Sequence, residues 1–322
     1  MAARLGYADS VGNRTDLARE LRAELARKIA LFVGTEEKRV TEIPGLSLHR
    51  WTALTARCPV TYEPSVAVVA QGKKRVELGR NVFTYDASRF LLAAVDLPVV
   101  SRVIEASEKA PGLAMLLKLD LATVRELLSR EEIQVVEPPS GAPAMATGEN
   151  TAELLDAFCR LVDLLKNPRD IPVLSGLIQR EIIYRILHSS TGARLRAIAT
   201  VGDQSQRTAR AIAWIRANYA KPLRVEELAE MAAMGVSTLH HHFRALTAMS
   251  PLQYQKQLRL QAARGRMLLD GLDAASAAFE VGYESASQFN REYSRFFGQP
   301  PMRDVRALRA PGAPPMEAVA GR

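Results

Sequence analysis

A helix-turn-helix pattern that occurs twice, about 50 residues apart, is the feature that most restricts how this 322-residue chain can fold. The first copy, RVEELAEMAAMGVSTLHHHF, predicts a short helix, a turn with Gly235 and a second helix from Ser237. The second copy, LDAASAAFEVGYESASQFNREYSRFF, repeats the layout with its turn at Gly282. One such pair is common in helical bundles, but duplication at a fixed spacing predicts two matched units.

The segment between the two units, SPLQYQKQLRLQAARGRMLLD, predicts one continuous helix from Pro251 to Leu269. Helices that enter successive major grooves on one side of a duplex sit about 34 Å apart. A helix of about 18 residues spans roughly 27 Å, so a connector of this size can hold such a separation. We therefore expect the two units to read one DNA duplex together.

Each second helix has an apolar stripe and an opposite polar face when residues are spaced by about 100°. Leu239, Phe243 and Leu246 form the first stripe, and Phe289, Tyr293 and Phe296 match them in the second unit. The residues predicted to contact DNA are Ser237, Thr238, His240, His241, Arg244, Ser287, Gln288, Asn290, Arg291 and Arg295. Arg291 is the strongest candidate for a guanine contact. The alternative for all ten is a polar helix face that only contacts water.

Three of the five histidines are consecutive, His240 to His242, which raises the alternative of a metal site. Consecutive helical residues diverge by about 100°, so these three imidazoles cannot surround one ion. Helical zinc motifs use an i, i+4 or similar spacing with a further ligand elsewhere. We predict no metal and no cofactor, with His240 and His241 exposed and His242 at the margin of the core.

Composition and charge suit a cytoplasmic protein with a polyanionic partner. The chain is 48% hydrophobic and 24% charged, as is ordinary for a globular protein. Cys58 and Cys159 stand in unrelated sequence contexts, so we expect both to be reduced thiols. No apolar run is long enough for a membrane span, and no secretory leader is visible. Residues 203–310 hold 15 Lys and Arg against 10 Asp and Glu, so the excess of positive charge concentrates there.

The first half of the chain has short β-branched and aromatic runs broken every eight to twelve residues by Gly, Asn, Asp or Pro. This spacing predicts a small antiparallel barrel or sandwich, flanked by helices at Asp16–Phe32 and Asp120–Arg130. Two further helices are predicted between breaker-rich segments, with Thr151 as N-cap of one and Pro172 at the start of the other. They close the barrel or form a dimer face.

The fold class is therefore α+β, with a strand-rich N-terminal domain and an all-α C-terminal domain. The expected boundaries are an N-terminal tail at 1–15, the barrel domain at 16–136, a linker at 137–150, the helical segment at 151–189, a second linker at 190–206, the double helix-turn-helix domain at 207–308 and a disordered tail at 309–322.

Residues from about Thr208 to Leu308 resemble the DNA-binding domain of the AraC/XylS family of bacterial transcription regulators. The run AFEVGYESASQFNREYSRFFGQPP is close to diagnostic of that family. The stretches IPGL, YEPS, QGKKRVELG and VDLPV in the first half are similar to the N-terminal domain of one branch. The resemblance implies a cupin-like barrel that holds a small effector or mediates dimerisation, and a regulator that is an activator working with RNA polymerase as a homodimer.

The resemblance also raises a competing function, because many cupins are metal-dependent enzymes. Such enzymes use a His-x-His pair, a Glu and a further His, whereas the barrel region contains only His49. We therefore predict no enzymatic activity, and keep a cupin-type metal-dependent enzyme fused to a nucleic-acid-binding module as the alternative. An RNA-binding or purely structural protein is the other rival class.

Overall fold

The computed structural model describes residues 2–130 and 142–309, with side chains described for 16–129 and 142–309. Within these ranges the N-terminal half contains ten strands: β1 (Lys38–Val40), β2 (Leu46–Trp51), β3 (Cys58–Tyr62), β4 (Ser65–Gln71), β5 (Lys73–Leu78), β6 (Asn81–Asp86), β7 (Arg89–Ala93), β8 (Leu97–Glu105), β9 (Gly112–Lys118) and β10 (Met145–Glu149). The strands form two antiparallel sheets in the orders β1-β2-β9-β4-β7-β10 and β3-β8-β5-β6. This architecture confirms the antiparallel N-terminal domain expected from the sequence.

Twelve α-helices occur in the described residues: α1 (Ala2–Val33), α2 (Leu121–Arg130), α3 (Ala152–Asp163), α4 (Ile171–Leu187), α5 (Gly192–Ala199), α6 (Gln204–Ala217), α7 (Val225–Met231), α8 (Val236–Thr247), α9 (Pro251–Gly265), α10 (Ala274–Glu280), α11 (Ala286–Phe297) and α12 (Pro301–Arg309). The predicted caps are in place, since the Thr151 side chain accepts from the Leu154 amide and Pro172 lies in the first turn of α4. The predicted disordered tail is outside the described residues apart from residue 309, which ends α12.

The prediction of a linker at residues 137–150 is wrong for residues 145–149, because these residues form strand β10. This strand pairs antiparallel with β7, from Met145 opposite Ala93 to Glu149 opposite Arg89, and it completes one edge of the larger sheet. Gly148 reads as a chain breaker in the sequence. In the fold, a Cβ at Gly148 would lie 2.3 Å from the Phe90 ring, so glycine is needed there for close packing. Residues 137–141 of that linker lie outside the described residues.

The second predicted linker, 190–206, contains the buried helix α5 and the first residues of α6. Leu195 and Ile198 are buried, and the Arg196 guanidinium donates to the Leu187 carbonyl. Gly192 follows α4 in a tight turn, where an added Cβ would lie 2.2 Å from the Leu187 carbonyl oxygen. The breaker residues that predicted a linker thus permit a sharp turn between two packed helices.

The N-terminal helix is longer than predicted, because α1 begins at Ala2 and includes residues 2–15, which the sequence analysis assigned to a tail. Extending a formed helix by one residue adds one hydrogen bond without a new nucleation cost. The part of α1 from Leu25 to Val33 packs on the larger sheet and on α3 and supplies that nucleus.

Two hydrophobic cores divide the molecule unequally. The larger core runs from α1 through the barrel and α3–α5 into α8 and α9, ending at Leu258. The smaller core belongs to the C-terminal unit alone and includes Met267, Val281, Phe289 and Tyr293. The first helix-turn-helix unit therefore shares its core with the barrel domain, and the second unit does not.

Candidate nucleic-acid interface

The first unit consists of α7, a four-residue turn and α8. Leu228, Leu239 and Phe243 are buried between the two helices, as the apolar stripe predicts. The turn is made by Ala233 in the left-handed conformation, with φ of 53°, while Gly235 is at the N-cap of α8 with φ of −69°. Gly235 thus lies in the turn as predicted, but the left-handed residue of that turn is Ala233.

The second unit repeats this geometry in α10, its turn and α11. Gly282, with φ of +89°, takes the place of Ala233, and the Tyr283 amide donates to the Ala278 carbonyl at 3.0 Å as Met234 does to Ala229 at 2.9 Å. Helices α8 and α11 are offset by 50 residues, whereas α7 and α10 are offset by 49. The second turn is therefore one residue longer than the first.

All ten residues predicted to contact DNA are exposed in the structure. Ser237, Thr238, His240, His241 and Arg244 share the outer side of α8, and Ser287, Gln288, Asn290, Arg291 and Arg295 share the outer side of α11. Their contact with DNA stays a prediction. Phe296, assigned to the buried stripe of α11, is only half-buried.

His242 is half-buried beside the core, and its ring lies edge-on to that of His241 with 5.3 Å between centroids. Burial lowers the pKa of His242 from its ordinary value of 6.5, and the neighbouring His241 lowers it further. Among the described residues, no cluster of three or more His, Cys, Asp and Glu side chains is placed to hold a metal ion. The triplet thus presents two imidazoles outward and one inward.

An acidic residue that sequence reasoning missed organises the face of α11. Glu292 accepts a hydrogen bond from the Tyr283 hydroxyl at 2.9 Å, and its other oxygen lies 3.5 Å from the Gln288 amide nitrogen. The Lys256 ammonium lies 3.6 Å from that same oxygen. Gln288 is consequently restrained by its own helix, while no such contact is described for Arg291 or Arg295.

The connector α9 links the two units through Arg259, which the sequence analysis did not single out. Its guanidinium donates to the Tyr219 carbonyl at 2.7 Å and to the Gly282 carbonyl at 2.8 Å. The helix starts with a capping box between Ser250 and Gln253 and runs 15 residues, about 22 Å at 1.5 Å per residue. It continues as a π-helical turn over Arg266–Asp270, so the predicted connector is one rod with an irregular end.

The barrel contacts the helical domain through a cluster of charges. Arg216 of α6 pairs with Glu63 and with Asp96, and Lys118 pairs with Glu63 from the barrel side. Burial alone would raise the pKa of Glu63, but hydrogen bonds from Lys118 and Arg216 hold it below its ordinary value. Burial raises the pKa of Asp96, and the Glu63 carboxylate raises it further, against the effect of Arg216.

A cavity of about 310 Å³ opens next to this cluster, between β3 and the β1-β2-β9-β4 part of the larger sheet. Its apolar wall includes Val40, Leu46, Val60 and Leu116, and its polar wall includes Lys38, His49, Glu63 and Lys118. Glu63 and Lys118 therefore belong both to the cavity wall and to the contact between the two domains.

Two family models match the chain in sequence order. The AraC-type transcriptional regulator N-terminus matches residues 42–194, and a helix-turn-helix domain matches residues 228–307. The chain belongs to the AraC/XylS family. Among the described residues of this AraC/XylS member, no helix is both long and apolar enough to cross a membrane.

Curated relatives of this AraC/XylS chain include two proteins named HTH-type transcriptional activator RhaS. That of Yersinia pestis (strain Pestoides F) is 30% identical over 105 residues, which are 33% of this chain and 38% of the relative. That of Mannheimia succiniciproducens is 24% identical over 160 residues, which are 48% of this chain and 57% of the relative. The chain thus spans less than two thirds of the length of either relative.

The whole fold is similar to that of ToxT from Vibrio cholerae. A 1.65 Å structure of ToxT superimposes with a TM-score of 0.56 at 8% identity, covering 85% of this chain and 100% of ToxT. A further structure, of ToxT with an unsaturated fatty acid bound, gives a TM-score of 0.54 at 8% identity and covers 83% of this chain and 97% of that one. At such low identity the similarity concerns the fold alone.

Proposed function

We propose that the chain is a transcription regulator that binds a specific DNA sequence through α8 and α11. The observation that carries this proposal is the pair of matched, exposed polar faces on two helices joined by one rigid connector. Phosphate contacts from Lys, Arg and helix N-termini position such a protein, and side chains on the recognition helices specify bases. The relatives named as activators support an activator, and RNA polymerase is then its partner.

The test is selection of bound duplexes from a random pool by the full chain, followed by sequencing. We expect one enriched sequence with two conserved blocks whose centres are about one helical turn, or 10 base pairs, apart. Affinity for that sequence should fall log-linearly with salt concentration, because each phosphate contact releases counterions. An unenriched pool, or affinity independent of salt, would contradict the proposal.

We further propose that the barrel is a binding module for a small organic anion with an apolar body, and not an enzyme. The cavity beside Glu63 supports this, since it combines an aliphatic wall with Lys38 and Lys118. The fatty acid bound to ToxT, a protein of similar fold, is a ligand of the same chemical type. Because Lys118 also pairs with Glu63, an anion bound at Lys118 would compete with Glu63 for this ammonium group and so change the carboxylate that Arg216 contacts.

Decanoate and decanol provide a matched pair of probes for this cavity. We expect decanoate to raise the melting temperature of the full chain and to change its affinity for DNA, and decanol to do neither. Lys118→Gln should remove the effect of decanoate. Equal effects of both compounds, or an undiminished effect in the Lys118→Gln variant, would contradict an anion site here.

A homodimer is the assembly we propose, with α4 at its centre. Val173, Leu174 and Leu177 are 68%, 40% and 61% exposed on this helix. Gly176 lies among them in the middle of the helix, exposed, and an added Cβ would meet nothing within 4 Å. A second copy packed on this face would bury these three side chains. We propose that this dimer forms in the cytoplasm, where it can reach DNA. Leu177→Glu should then yield monomers by sedimentation, whereas unchanged mass would contradict this interface.

A further inference from the structure

The tip of one barrel hairpin touches the end of the first recognition helix. Strands β5 and β6 pair from Lys73 opposite Asp86 to Leu78 opposite Asn81, which leaves Gly79 and Arg80 as a two-residue turn. A Cβ built on Gly79, whose φ is +59°, would lie 2.7 Å from the Cβ of Ala248. Ala248 is the C-cap of α8, so any side chain at position 79 would clash with the end of this helix.

A second contact fixes the same end of α8. The Ala144 amide, directly before β10, donates a 3.0 Å hydrogen bond to the Leu246 carbonyl. The last carbonyls of a helix have no partner within the helix and must be satisfied from outside. The barrel domain supplies that partner here, and Leu246 also belongs to the core that α8 shares with the barrel.

The second recognition helix ends differently. Its C-cap, Gly298, corresponds to Ala248 at the 50-residue offset and has φ of +81°, and an added Cβ would meet nothing within 4 Å. Near this end, a cavity of about 280 Å³ is lined by Phe297 and Gln299 and by Trp51 and Lys74 of the barrel. The hairpin tip thus lies against the end of α8, whereas a cavity of about 530 Å³ lies between Gly79 and the Arg295 and Phe296 side chains of α11.

We propose that the Gly79–Arg80 tip and Ala144 position α8 for base reading, so that the barrel controls recognition by the first unit and leaves the second unit independent. This inference rests on the proposed DNA-binding function. Ala248 would be a positioning residue, because this residue lies at the end of the exposed face of α8 and would act on DNA only through that helix. A state of the barrel that moves the hairpin tip then changes base preference in one half of the DNA site only.

The Ala248→Gly variant tests this in the full chain, because glycine favours the left-handed conformation of this C-cap while the methyl contact is removed. Its melting temperature should equal or exceed that of the wild type. Binding is measured to the selected sequence and to every single-base variant, with the half-sites assigned by Arg244→Ala and Arg295→Ala. We expect about a fivefold loss of base discrimination in the first half-site, the size of effect that a coupled residue outside the interface can produce, and none in the second.

Two controls separate the contact from backbone effects. Ala233→Gly relieves the same left-handed strain at φ of 53° in the turn of the first unit, away from the hairpin, and should leave discrimination unchanged. Ala248→Ser keeps a Cβ at the contact and should behave as the wild type. Equal losses in both half-sites, the same loss in Ala233→Gly, or no loss in Ala248→Gly would overturn the inference. Absence of sequence selection by the wild type would instead refute the proposed function itself.

Discussion

The hydroxyl group of Tyr254, on the connector α9, donates a 2.8 Å hydrogen bond to the backbone carbonyl of Asp96 in the barrel. Tyr254 is completely buried and its ring lies edge-on to that of Phe243, with 5.5 Å between centroids. One side chain therefore joins the core of the first helix-turn-helix unit to a residue whose carboxylate pairs with Arg216. The two domains are coupled at a point away from the exposed faces of α8 and α11.

Tyr254→Phe removes this hydrogen bond and keeps the ring. Because the Asp96 carbonyl would lose this buried partner, we expect the free energy of unfolding to fall by about 1–2 kcal/mol. Urea denaturation of the full chain measures it. An unchanged midpoint in the Tyr254→Phe variant would show that the bond does not stabilise the contact between the domains.

Arg291→Ala separates specific base reading from general attraction to DNA. Arg291 is exposed on α11, so its removal should leave folding intact while a bidentate base contact worth about 1–3 kcal/mol is lost. Arg291→Lys keeps the charge without the planar fork and should also lose discrimination. Binding is measured to the selected site and to its single-base variants. Equal losses across all duplexes would mean that Arg291 contacts only the phosphate backbone.

His241 is predicted to affect base discrimination, and His242 is predicted to affect stability. His241→Ala should weaken discrimination in one half of the DNA site, because this imidazole is exposed on the outer side of α8. His242→Ala should instead lower the melting temperature, because the ring lies against the core. If both variants only unfold the protein, or neither changes base preference, the assignment of the two faces is wrong.

His242 also predicts a dependence of stability on pH. Its pKa in the folded protein is lowered, so below about pH 6.5 the unfolded chain binds a proton more readily than the folded chain does. The contribution of the neutral ring is thus present at neutral pH and is lost as the pH falls through this range. Melting temperatures between neutral and mildly acidic pH should fall less steeply in His242→Gln than in the wild type. Equal slopes would contradict this role.

Two glycine replacements are expected to have opposite effects. Gly265 has helical φ and ψ of −59° and −47°, and an added Cβ would meet nothing within 4 Å, so Gly265→Ala should stabilise the protein by about 0.5–1 kcal/mol. Gly282 has φ of +89°, and an added Cβ would lie 2.0 Å from the Ala220 carbonyl oxygen. Gly282→Ala should therefore destabilise the protein strongly. Thermal unfolding of both variants checks the pair, and destabilisation by Gly265→Ala would contradict the first expectation.

The helical domain was largely predictable because its periodicity is local. The spacing of Leu239, Phe243 and Leu246 defines a face within one helix, and the duplication at 50 residues makes each unit a check on the other. The same comparison could have shown that Ala248 takes the place of Gly298, and so carries the left-handed conformation of a helix C-cap. Ala233 was missed because Gly235 nearby offered a more usual turn residue.

The contacts between domains had no comparable signal. Arg216 is 153 residues from Glu63 and 120 from Asp96, and each is an ordinary charged residue in its own segment. Strand β10 was missed because MATGE has only one β-branched residue and a glycine, and its place in the sheet depends on the Phe90 ring beneath Gly148. Long-range packing, and not local propensity, determines both features.

Strand β10 has a consequence for dissecting the protein. A cut anywhere within residues 131–141 would leave two fragments that are still joined by the ladder between β7 and β10, from Ala93–Met145 to Arg89–Glu149. A fragment that stops at residue 136 lacks one edge strand and would expose the backbone groups of β7 as a site for pairing with other chains. The shortest piece of the chain that contains the complete sheet therefore ends no earlier than Glu149. The two halves on either side of the cut are natural candidates for reassembly as a split protein.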